Sequence, residues 1–169
     1  MLTSDRGMFS ACSERLTRVY GPIDIVSEIF TWGNTDYYRE EMGAGLLRQF
    51  VFFRELRDPA ILPSVKHFTA TMENVYSAQV GDRSNRRINL DPGYVTEAKI
   101  VLASTKDFAH RVYLGGGIYG EVTLRYCSER RQFVELDHTF PDFRSDAYRK
   151  LFLQARDVLR ADMRPVGRS

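Results

Sequence analysis

Cysteine, net charge and long apolar runs are what this chain has least of, and each shortage removes a class of protein. Its 169 residues hold two cysteines, Cys12 and Cys127. They are too few for a disulfide framework, and their separation fits neither a CxxC pair nor a zinc-ligand spacing. Cys12 falls on the apolar face of a predicted helix and reads as a buried, reduced thiol. A net charge of +2 and a pI near 8.6, with no stripe of Lys and Arg, do not imply nucleic acid, although they do not exclude it. No apolar run reaches membrane-spanning length, and the start MLTSD has neither the charged segment nor the apolar core of a secretion signal. The expectation is a cytoplasmic protein with no membrane partner. Catalytic signatures are missing too: there is no GxSxG, no HExxH, no glycine loop followed by GK[ST], and no Cys–His pair.

What is present describes a globular domain. Hydrophobic residues make up 43% and charged residues 27%, enough for a core without staples. Aromatics reach 12%, which favours a fold containing sheet. Phe9, Cys12, Leu16, Val19 and Tyr20 share one face of a helix over 5–20, with Ser4 or Asp5 as cap and Gly21-Pro22 as stop. Ile23 to Phe30 alternates as a strand, and Leu46 to Leu56 reads as a second. Asp58 and Pro59 open a long helix with Ile61, Val65, Phe68, Met72, Val75 and Tyr76 on its inner face. A polar loop over 81–86 leads to a third strand, Arg87 to Leu90. Tyr94 to Lys106 reads as a largely covered helix. His110 to Leu114, Ile118 to Tyr126 and Gln132 to Leu136 form an antiparallel meander, and Ser145 caps a closing helix. The pattern is α+β in one domain, 1–163, with a frayed tail at 164–169. Its first part is a ferredoxin-like βαββαβ unit if a strand precedes the first helix.

Turn chemistry, ionisable groups and glycines are densest between Arg87 and Arg125. Asp91-Pro92-Gly93-Tyr94 is a turn signature, yet Asp91 also suits a carboxylate presented at a strand end, with Tyr94 beside it. Lys99, Lys106, His110 and Arg111 put four cationic or proton-carrying groups near one junction. They suit a phosphate or carboxylate, or form a solvated face paired with Glu97 and Asp107. Gly115-Gly116-Gly117 reads as a hairpin turn. Glu121 faces across the meander towards Arg111 or His110, as a cross-strand ion pair or as a carboxylate–imidazole pair for acid–base work. Aromatic loops add Asp36, Tyr37, Asp142 and Arg144 as ligand contacts. With Glu28, Asp91 and Glu121 the acids among them lack any spacing that enforces a metal site, so none is expected.

Several blocks carry a family resemblance: Gly21-Pro22-Ile23-Asp24, Thr35-Asp36-Tyr37-Tyr38, Glu41-Met42-Gly43, the long run Asn89 to Glu121, and Phe140-Pro141-Asp142-Phe143-Arg144-Ser145. On these the chain resembles the uncharacterised bacterial family called domain of unknown function 4416. The resemblance spans most of the chain and implies no activity and no cofactor. Members resemble one another in a first hydrophobic strand that this chain cuts to Met1-Leu2. Such a shortened strand exposes its neighbour and invites self-association into a homo-oligomer. Two functional classes follow. In one, a pocket lined by the Trp32–Tyr38 and Phe140–Arg144 loops binds a phosphorylated or nucleotide-like ligand. There Lys99, Lys106 and Arg111 neutralise charge, and His110, Glu121 and Asp91 do the chemistry. In the other, the chain is a noncatalytic module binding RNA or protein through Tyr37, Tyr38 and Phe143. A structural scaffold is the third reading.

Overall fold

The computed structural model describes residues 1–33, 42–80 and 83–163, with the side chains of 78–80 and 83–85 left aside. These residues form a mixed α+β protein in two compact units, Met1–Pro92 and Gly93–Ser169.

In the first unit, β1 (Leu2–Thr3) leads into α1 (Arg6–Tyr20), whose cap Asp5 accepts a hydrogen bond from the Gly7 N–H at 2.9 Å. The expected spacing buries Phe9, Cys12 and Leu16, joined by Met8. The helix ends at Gly21, whose φ of 88° suits glycine. The strand expected over Ile23–Phe30 breaks into β2 (Ile23–Val26) and β3 (Phe30–Thr31). Ser27 causes the break: its hydroxyl accepts from the Phe50 N–H at 3.0 Å and donates to the Glu28 carbonyl at 2.6 Å, replacing ladder bonds. The facing strand divides likewise into β4 (Leu47–Arg48) and β5 (Val51–Phe53). β4 lies between β1 and β3, β2 pairs with β5, and all these pairs are antiparallel.

Asp58 caps a short 3₁₀ turn, Pro59–Ile61, that runs into α2 (Leu62–Val75). The inner face of this helix is the expected one only in part: Met72 lies in the core with Phe68 and Tyr76 packed against it. Leu62, Lys66, Thr69, Met72 and Glu73 are buried, whereas Ile61 and Val75 are 37% and 58% exposed. The cause is polar. Lys66 Nζ donates to the Leu90 carbonyl at 2.9 Å, and Glu73 accepts from the Leu90 N–H. Those side chains take the backbone groups that a third strand over Arg87–Leu90 needs, so that segment contributes only an antiparallel bridge, Asn89 to Leu2. Where a polar loop was expected, β6 (Ala78–Val80) and β7 (Arg83–Asn85) pair as a hairpin, its residues 81 and 82 lying outside the described ones. Met8, Cys12, Leu16, Met72, Ile88 and Leu90 form the core here.

The second unit corrects the largest expectation. Tyr94–Lys106 is not a helix but a hairpin of β8 (Gly93–Val95) and β9 (Lys99–Ser104). Gly93 permits it, because a Cβ there would run into the Val101 carbonyl oxygen and lie 2.7 Å from Leu102 Cδ2. The Thr96 hydroxyl oxygen accepts from the N–H groups of Ala98 and Lys99 and closes the turn. The meander follows as expected, with β10 (Val112–Gly115), β11 (Ile118–Cys127) and β12 (Gln132–Glu135). Gly115, Gly116 and Gly117 all have positive φ in the turn between β10 and β11. Strand order is β10-β11-β9-β8, with β12 also on β11. A 3₁₀ turn, Pro141–Arg144, precedes α3 (Asp146–Met163), and the Ser145 hydroxyl accepts from the Tyr148 N–H at 3.3 Å. This helix packs on β12, β8 and the 3₁₀ turn, burying Tyr148, Leu151, Phe152 and Ala155, with Phe143 stacked on Phe152.

Candidate functional site

One edge of β11 is shared between two strands. β10 pairs with its start, Ile118 to Gly120, and β12 with its end, Leu124 to Cys127. Residues 121 to 123 between them belong to neither ladder. On the opposite edge, pairing with β9 slips between Val122 and Leu124, so that Leu124 rather than Thr123 falls opposite Ile100. A bulge of this kind re-aims side chains and frees carbonyls, and bulges gather beside functional sites. The chain entering β10 and the chain leaving β12 both meet this gap, bringing His110-Arg111 from one side and His138-Thr139 from the other.

Glu121 is the centre. Its side chain is 2% exposed, and both of its donors converge on one oxygen. Arg111 Nε donates to Oε2 at 2.8 Å, and His110 Nε2 lies 3.1 Å from the same atom. Oε1 is buried and has no hydrogen-bond partner among the described residues. Arg111 is itself 5% exposed; its NH1 donates to the Ser104 hydroxyl at 2.7 Å and the Lys106 carbonyl at 3.1 Å. Phe108 lies under the guanidinium at 4.4 Å. Arg111 therefore neutralises and orients a buried carboxylate, as buried ion pairs must to offset desolvation. The imidazole of His110 keeps 30% of its side-chain surface exposed.

His138 stacks on His110, ring centroids 4.3 Å apart and planes 17° from parallel. Its Nε2 is 3.0 Å from the Val122 carbonyl at the bulge. Its neighbour Thr139 donates to the Thr123 carbonyl at 2.6 Å. Arg144 frames the same turn, donating from Nε to the Thr139 carbonyl and from NH2 to the Asp137 carbonyl, each at 3.0 Å. The expected ligand contact Arg144 thus spends these donors on the turn that carries His138.

The candidates named from sequence divide. His110, Arg111 and Glu121 come together, and Lys106 supplies its carbonyl to the same cluster from an exposed position. Lys99 lies at the start of β9 opposite Arg125, and Tyr94 opposite Val101, neither in hydrogen-bond contact with Glu121. Asp142 stands in the 3₁₀ turn. Asp36 and Tyr37 lie outside the described residues, as does Tyr38. Asp91 belongs to the first unit. Its Oδ1 is 3.4 Å from Lys66 Nζ, and its Oδ2 accepts from Asn89 Nδ2 at 2.6 Å. Burial pushes the Asp91 carboxyl up, but Lys66, then Arg48 and the amino terminus, outweigh it and hold it below the usual carboxylate range. Burial pushes Glu73 up, and there the Leu90 N–H, Lys66 and Arg86 offset it only in part. Among the described residues no group of three His, Cys, Asp or Glu side chains is placed to hold a metal ion.

Sequence reasoning passed over His138, Ser104 and Phe108, as well as Lys66 and Glu73. For Lys66 and Glu73 a signal existed: seven residues apart, they share a helix face with Leu62, Thr69 and Met72. For His138 there was none, because only the gap in the β11 edge brings it to His110.

An α+β protein with a buried carboxylate holding an imidazole at a bulged strand is the class these elements define. The chain belongs to the family described as Domain of unknown function (DUF4416), whose model matches residues 1–158. No curated protein and no solved structure was found to match it. Among the described residues no helix is long and apolar enough to cross a membrane.

Proposed function

We propose that the second unit carries an acid–base site for a phosphorylated or nucleotide-like anionic ligand, with His110 as the proton-transfer group and Glu121 as its orienting carboxylate. One observation carries the reading: a carboxylate fixed by a buried arginine accepts from a partly exposed imidazole. A structural ion pair needs only Arg111; the imidazole with an open edge is what chemistry needs. Lys106, exposed on the connection between Ser104 and Arg111, supports an anion as the ligand. In the first unit, Asp91 is a separate carboxylate paired with Lys66. For the first unit we further propose a ferredoxin-like arrangement. The antiparallel neighbours Asn89, β1, β4 and β3, in that order, support it.

A thermal-shift panel of nucleotides, sugar phosphates and divalent metals tests the site. A ligand binding only the folded state raises the midpoint, by more the further its concentration exceeds its Kd. Anionic ligands are expected to shift the wild type and to lose that shift in His110→Ala. If none moves the wild-type midpoint, the reading fails.

A second reading, a noncatalytic module, is favoured by one feature. The edge strand β10 exposes Val112 at 70%, Tyr113 at 60% and Leu114 at 40%, an apolar surface that suits a protein partner. It is expected to leave the small-molecule panel silent.

A further inference from the structure

The hydrogen bonds around the two stacked histidines fix which ring nitrogen each leaves open. A carbonyl only accepts, so His138 Nε2, 3.0 Å from the Val122 oxygen, carries its proton. The Glu121 oxygen that already accepts from Arg111 likewise accepts from His110 Nε2. In both neutral rings Nδ1 is then the bare acceptor, and among the described residues no hydrogen bond occupies either one. Both Nε2 atoms bond to adjacent residues of one strand, His110 to the Glu121 side chain and His138 to the Val122 carbonyl. With the ring centroids 4.3 Å apart and the planes 17° from parallel, the two acceptors belong to one stack.

A single imidazole accepts one hydrogen from any donor, but two side by side select a ligand with two neighbouring donors. We propose that His110 and His138 together form a two-acceptor subsite for adjacent hydroxyl groups. On the anionic-ligand reading, on which this rests, the ligand class is then a phosphate compound bearing a vicinal diol, such as a ribonucleotide or a sugar phosphate. Neighbouring hydroxyls on a ring stand close enough together for each to reach its own nitrogen. His138 becomes a binding residue in its own right. The turn that carries it, tied by Thr139 to the bulge and by Arg144 to its own carbonyls, is built to hold that ring in place.

The test compares three probes on the full chain by calorimetry: adenosine monophosphate, its 2′-deoxy counterpart and inorganic phosphate. Loss of one hydroxyl–imidazole hydrogen bond costs about tenfold in affinity. The ribonucleotide is therefore expected to bind wild type about tenfold more tightly than the deoxynucleotide. In His138→Phe, which keeps the ring stack and removes one of the two acceptors, the ribonucleotide is expected to bind about tenfold more weakly than to wild type. Equal binding of the two nucleotides to wild type overturns the diol proposal and leaves the anion reading standing. No binding of any probe, inorganic phosphate included, overturns both. The wild-type comparison needs no variant, so a His138→Phe chain that does not fold leaves the decision intact.

Discussion

Glu121 is the residue on which the second unit's polar interior depends. Removing it leaves the Arg111 guanidinium, 5% exposed, without its counter-charge. Glu121→Ala is expected to cost about 3–5 kcal/mol in urea unfolding, the range for breaking a buried pair from one side. Glu121→Gln, which keeps an oxygen for Arg111 Nε, is expected to cost less. A Glu121→Ala loss under about 1 kcal/mol, as at an exposed pair, contradicts the burial argument. Cys12 offers a second check at this scale. It is fully buried, and burial pushes its thiol from 9.0 up to about 11. The unfolded chain releases this proton first, so it binds fewer protons than the folded chain between those values. Stability contributed by Cys12 is present below pH 9.0 and lost as pH rises through about 11. The fall in stability over that window is expected to be shallower in Cys12→Ala. In native protein a maleimide is expected to label Cys127 and spare Cys12.

Between residues and units stand the elements, and there the sequence was legible unevenly. The two long amphipathic helices were readable because a 3.6-residue apolar period leaves few alternatives. β10, β11 and β12 were readable from alternation and from the glycine turn. Tyr94–Lys106 was misread because the Asp91-Pro92-Gly93 turn, Glu97, Lys99 and Thr105-Lys106-Asp107 favour a helix, against the run Ile100 to Ala103 that suits a buried strand. The decisive fact was a backbone contact that only Gly93 allows. Gly93→Ala is expected to destabilise by about 1–3 kcal/mol, as overpacking does, with the β8–β9 pairing lost first in amide exchange. The α2 face was legible only in part, at Phe68, Met72 and Tyr76, because its buried positions also include Lys66 and Glu73, whose partners are backbone atoms of Leu90 remote in sequence. Lys66→Met tests this. The Asp91 carboxyl is held low chiefly by Lys66, so the stability it contributes is present above its ordinary value of 3.8 and lost as pH falls through its folded value. In Lys66→Met the acid limb of the stability curve is expected to flatten. An unchanged acid limb removes Lys66 from that role.

For the whole molecule, three members of the site, His110, Arg111 and Glu121, were visible as a charged cluster facing across a meander. His138 was not, because its place comes from two strands dividing one edge of β11. A net charge of +2 bears on the kind of ligand. A small anion held by His110 and Lys106 is expected to show a shallow decline of log affinity with log salt, whereas an RNA partner that displaces many counterions gives a steep one. The most direct test of the central claim is a long-range ¹H–¹⁵N correlation spectrum of the histidine rings, with and without adenosine monophosphate. The neutral His110 ring is expected to carry its proton on Nε2, and the nucleotide is expected to shift its Nδ1 resonance. A proton on Nδ1, or ring nitrogens unmoved by saturating nucleotide, would contradict the account.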